Sequence, residues 1–140
     1  MTAWLLKTEP GEFSFDDLVA RVVEPWDGVR NPTALRNLGS ARVGDRCVVY
    51  HSGPDRAAVG LATVERTAYP DPKRDDPKLK LVVMDVRAGA RLPRPVRLDE
   101  LKRDDRFAAS PLVRQGRLSV VPLTDAQYDA ILELAAAAEG

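Results

Sequence analysis

The run Trp26-Asp27-Gly28-Val29-Arg30-Asn31-Pro32 places a large aromatic, a glycine, an arginine and an amide side by side. Pro32 fits the first turn of a helix, where a missing N–H costs nothing. Asn31 then takes the N-cap, Ala34, Leu35 and Leu38 supply the apolar positions, and Gly39 ends the helix. Trp26 is thereby expected on a loop that enters a helix N-terminus, an end with free N–H groups and partial positive charge. An aromatic face beside an amide and free donors suits a planar, polar heterocycle. The plainer alternative is that Trp26 is a core residue and Asn31 only a cap, a role worth about 1 kcal/mol.

Catalytic chemistry finds little support. His51 is followed by Ser52, but neighbours on a strand point to opposite faces and do not readily pair as base and nucleophile. Cys47 shares a strand face with His51 yet lies too far along it to touch. The carboxylate pairs Asp16-Asp17 and Asp104-Asp105 have no surrounding motif and read as caps or solvated charges. One His and one Cys do not make a metal site, and no glycine-rich phosphate loop is present. No metal and no cofactor are expected. Binding fares better. Arg30, Arg36, Arg42, Arg46 and Arg56 outnumber the acids around them, and Arg114 and Arg117 form a second group. Together they can give one positive face, although each alone also fits an ordinary solvated surface.

The elements that must position these residues follow from periodicity. Strands are expected over 3–7, 46–51, 57–66, 79–87 and 117–121, with Gly60 a bulge or bend and 91–96 broken by Pro93 and Pro95. Ser14 and Asp17 form a capping box for a helix ending near Val22, and Thr124 and Gln127 another for a helix to residue 135, with fraying from Ala136 onward. Short helices are expected at 98–102 and after Ser110-Pro111. The segment from Tyr69 to Pro77 reads as solvated loop. Three strands in succession without helices exclude a doubly wound sheet and favour an antiparallel or mixed barrel with peripheral helices.

The 140 residues are read as one domain, 1–140, with 21 basic and 21 acidic side chains and no net charge. A nucleic-acid binder built this way must use a local patch or a specific pocket. A single cysteine fits a reducing compartment, no apolar run approaches a membrane span, and no signal-peptide layout opens the chain. A cytoplasmic monomer, away from membranes, is expected.

Several motifs resemble the EVE domain family, a branch of the PUA-like barrels related to YTH and ASCH domains, in particular its thymocyte nuclear protein type. They are Trp4-Leu5-Leu6-Lys7-Thr8-Glu9-Pro10, then Trp26 to Asn31 with Ala34, Arg36 and Asn37, then Gly44-Asp45, Tyr50-His51-Ser52, Gly60-Leu61-Ala62 and Tyr69-Pro70-Asp71. Leu112-Val113-Arg114-Gln115 and Arg117 to Leu123 complete the series, which spans nearly the whole chain in the family's order. The resemblance implies an α+β fold, a PUA-like mixed or antiparallel β-barrel of five or six strands with short peripheral helices. It also implies a non-catalytic reader of a modified base in DNA or RNA. Carried over by position, the base pocket comprises Trp26, Val29, Asn31, His51, Ser52, Lys7 and Glu9. Arg30, Arg36, Arg114 and Arg117 are the expected phosphate contacts. The rival is a small enzyme or a binder of a free nucleotide or metabolite in the same pocket. A protein-interaction module is a third possibility.

Overall fold

The computed structural model describes residues 3–137. In chain order it runs β1 (Ala3–Thr8), α1 (Phe15–Arg21), β2 (Val23–Trp26), α2 (Pro32–Ser40), β3 (Arg46–His51), β4 (Ala57–Pro70) and β5 (Val82–Arg97). Then come α3 (Leu98–Lys102), a 3-10 turn (Asp105–Phe107), α4 (Pro111–Arg114), β6 (Val120–Leu123) and α5 (Asp125–Ala136). One sheet orders the strands β2-β5-β4-β3-β1-β6. Only the β1–β3 pair is parallel, so the sheet is mixed. β1 runs between β3 and β6, and Ala3 to Leu6 are all buried, hence its unbroken apolar run.

The caps form as their residues dictate. Ser14 and Asp17 close the box on α1, Thr124 and Gln127 on α5, and Asn31 Oδ1 accepts the Ala34 N–H at 3.1 Å on α2. Gly39 does not end α2, which continues to Ser40 with Ala41 as its C-cap. The fraying expected from Ala136 onward falls mainly on 138–140, outside the described residues, and Ala136 is the last residue of α5.

Gly60 is a bulge for a packing reason. The register of β4 against β5 shifts on both sides of it, and a Cβ there would lie 2.3 Å from the Phe15 ring. Phe15, fully buried, thus docks α1 on the sheet through a site that only glycine leaves open.

Several further expectations need correction. Trp26 is not on a loop: it ends β2, an unexpected edge strand whose four residues pair with Met84 to Arg87 of β5. Pro25 is tolerated there because one side of an edge strand makes no ladder bonds. The strand expected over 79–87 starts at Val82 and runs on to Arg97 as β5, through the segment 91–96 that was expected to be broken, with Pro93 and Pro95 in the part beyond its pairing with β2. β4 runs on through Tyr69 and Pro70, while the last strand starts at Val120 rather than 117. Finally, the barrel is not closed, because β2 and β6 end the sheet without pairing to each other.

The sheet nevertheless curls. Lys7 and Thr8 of β1 and Glu24 to Trp26 of β2 line one cavity, although three strands separate them in the sheet. In a flat sheet four strand spacings would hold β1 and β2 about 19 Å apart. The curl brings the edge strand back toward β1 and leaves a seam in place of the last hydrogen-bonded ladder.

Candidate base-binding site at the barrel seam

The seam cavity has a volume of about 380 Å³, within the range of small-ligand sites. β1 delivers Lys7 and Thr8, the turn before α1 delivers Glu12 and Phe13, and β2 with the residues after it delivers Glu24 to Gly28. The chain leaves β2 through Gly28 at φ +79°, a conformation that favours glycine. Phe13 meets Trp26 edge to face, centroids 6.1 Å apart, and the pair forms an aromatic wall. Trp26 is only 5% exposed, so most of its surface anchors the core and a limited part faces the cavity.

The polar lining has a definite character. Thr8 Oγ1 donates to the Phe13 carbonyl at 2.6 Å, which fixes the hydroxyl and leaves its lone pairs as acceptors. Lys7 Nζ donates to the Gly116 carbonyl at 2.9 Å, holding the segment that carries Arg117 beside the cavity. Burial lowers the Lys7 pKa. Glu12, Glu24 and Asp27 place three carboxylates on the lining beside the Lys7 ammonium, with Glu24 Oε2 ion-paired to Arg21 at 2.7 Å and its other oxygen left as an acceptor. The lining is therefore rich in acceptors. It suits a ligand edge that donates hydrogen bonds and repels a phosphate.

Of the residues expected in the pocket, Lys7 and Trp26 line this cavity. Val29 is buried in the core, and its carbonyl accepts from Arg74 at 3.3 Å. Asn31 is exposed and engaged as the α2 cap. His51 Nε2 accepts the Phe15 N–H at 3.0 Å, and Nδ1 lies 3.6 Å from Asp55. With that lone pair taken, the ring caps α1 and cannot serve as a base toward a ligand. Glu9 packs over the turn at Gly53, where a Cβ would lie 2.7 Å from its carboxylate, and the Ser52 N–H is taken by the Thr8 carbonyl. Cys47 is fully buried, which pushes its thiol well above the ordinary range and leaves no thiolate at neutral pH. Among the described residues no three His, Cys, Asp or Glu side chains group as a metal site, and no helix is long and apolar enough to cross a membrane.

The expected phosphate contacts are dispersed. Arg30 is ion-paired with Asp76 at 2.7 Å, Arg36 lies on α2, Arg114 donates to the Ala108 carbonyl at 3.0 Å, and Arg117 is exposed beside Gly116. Sequence reasoning missed Thr8, Glu12, Phe13, Glu24 and Asp27. Thr8 and Asp27 lie within the motifs that carry the family resemblance, and Phe13 is an aromatic directly before a capping box, which reads equally as a hydrophobic staple.

The family model described as EVE domain matches residues 2–134. Thymocyte nuclear protein 1 of Rattus norvegicus is 34% identical over 166 residues, covering 94% of this chain and 72% of that protein. The crystal structure of protein Atu2648 from Agrobacterium tumefaciens superposes with a TM-score of 0.91 at 32% identity, covering 100% of this chain and 97% of that one. Human THYN1 protein in complex with 5-methylcytosine-containing DNA superposes with a TM-score of 0.86 at 27% identity, covering 99% of this chain and 100% of that one.

Proposed function

The chain belongs to the EVE domain family, and from that membership we propose that it is a non-catalytic reader of a modified nucleobase in DNA. The base flips into the seam cavity. The observation that carries this reading is the pairing of an aromatic wall, Phe13 and Trp26, with an acceptor-rich lining in a cavity of about 380 Å³. The similarity to a protein solved with 5-methylcytosine DNA supports the base class.

The chemistry narrows that class. Cytosine offers an exocyclic amine as donor, and acidic side chains accept from it; thymine offers a carbonyl at the same place. Glu12, Glu24 and Asp27 therefore favour a cytosine-type base over thymine, though both carry or can carry a 5-methyl group. Extruding a base costs a few kcal/mol, and contact with an aromatic returns roughly 1–3 kcal/mol. The aromatic wall alone about balances extrusion, so selectivity rests on the bonds to the amine.

Titration of three matched oligonucleotides, differing only in 5-methylcytosine, cytosine or thymine at one position, tests the reading. Affinity is expected to fall in that order. Equal binding of thymine would overturn it.

A further inference from the structure

A cavity lined by three carboxylates cannot itself hold the phosphates of the strand that carries the base. We propose that the groove between α2 and residues 68–82 holds the sugar-phosphate backbone of the nucleotides flanking the base, with Arg36, Lys78 and Lys80 as its phosphate contacts. The proposal rests on the reading of the seam cavity as the base site.

The groove encloses about 540 Å³ over an apolar floor that includes Leu35, Leu79 and Val82. None of its eleven lining residues is acidic. Most arginines near the loop are already neutralised: Arg30 pairs with Asp76, Arg74 with Asp71 and Arg87 with Glu65. Arg36, Lys78 and Lys80 have no ion pair among the described residues, and Arg36 makes only a 3.3 Å bond to the Thr33 hydroxyl. The carboxylates near the groove are committed: Asp76 to Arg30 and to the Lys78 and Leu79 N–H groups, Asp71 to Arg74, and Asp85 to the Tyr69 hydroxyl.

The groove is also built and placed for a strand. Arg30 to Asp76 and Arg74 to the Val29 carbonyl tie the loop to the segment after β2, fixing its lysines opposite α2. That segment joins the two sites, with Gly28 lining the cavity and Pro32 lining the groove. Four residues span at most about 14 Å, which is about four nucleotide steps at the 3.4 Å rise of a duplex strand.

The test uses the full chain and the variant Arg36→Gln/Lys78→Gln/Lys80→Gln, whose three side chains are exposed. The probes are 5-methyl-2′-deoxycytidine, a single-stranded nonamer with one central 5-methylcytosine, and the same nonamer with cytosine at that position. Three single-strand phosphate contacts correspond to a drop in affinity of about 20-fold between 50 and 200 mM salt. The variant is expected to lose that part of the salt dependence for the nonamer while binding the nucleoside as the parent does. Unchanged nonamer binding and salt slope in the variant would overturn the groove, whatever the cavity does. If the parent shows no preference for 5-methylcytosine but the variant still loses the slope, the cavity reading fails and the groove stands. A glutamate peptide of equal charge that binds the parent more tightly than the nonamer does, and loses that binding in the variant, would assign the groove to acidic protein instead and overturn the proposal.

Discussion

At the residue scale, one side chain that invites a chemical reading has structural work, and a glycine carries the docking of α1. His51 satisfies the N–H of Phe15. His51→Ala is expected to cost about 1–3 kcal/mol, the penalty for a donor left unsatisfied, without altering base preference. Urea titration beside oligonucleotide binding checks both halves, and a lost preference at full stability would return His51 to the site. Gly60→Ala places a methyl group inside the Phe15 ring. Overpacking of that kind costs about 1–3 kcal/mol, and Phe15→Leu in the same chain should recover part of it. Additive losses in the double variant would mean that the two positions are not coupled.

At the element scale, the legible parts were those with local causes. Capping boxes, the Asn31 cap, the Gly60 bulge and the succession β3, β4, β5 all follow from short-range chemistry. β2 was not legible, because four residues with a proline carry no period, and its strand character comes from pairing with β5. Pro93 and Pro95 misled in the opposite sense, since only the pairing pattern places them where a lost N–H is harmless. The candidate site was half legible for the same reason. Trp26 and Lys7 stand out in the sequence, but only the curl of the sheet brings them together with Phe13 and the carboxylates. Asn31→Ala tests the division between cap and pocket. With Oδ1 held by the Ala34 N–H, the change is expected to lower stability by about 1 kcal/mol and to leave base preference intact, as thermal melts and matched oligonucleotide titrations would register.

At the scale of the whole molecule, a neutral chain groups part of its charge by place: three carboxylates line the cavity, three cations line the groove, and many of the remaining charges are ion-paired. The pairing has a pH signature. The Ser14 N–H holds the Asp17 carboxyl below its ordinary range, the Lys78 N–H does so for Asp76, and guanidinium bonds do so for Glu100 and Asp104. Groups with depressed folded pKa values stabilise the fold above the unfolded carboxylate range, about pH 4, and that contribution is lost as pH falls through the folded values. Melting temperature is thus expected to drop from pH 5 to pH 3, and an unchanged value would contradict these pairings. The central claim, that a cytosine-type modified base enters the seam beside Trp26, has an internal control. The chain has two tryptophans, and the Trp4 indole donates to buried Asp45 at 3.0 Å, away from the cavity lining. The most direct measurement is the pair of indole N–H resonances of ¹⁵N-labelled protein during titration with a 5-methylcytosine oligonucleotide and its thymine counterpart. The Trp26 signal is expected to shift with the first far more than with the second while the Trp4 signal stays in place. A stationary Trp26 signal under saturating 5-methylcytosine oligonucleotide, or equal shifts with both ligands, would contradict the account.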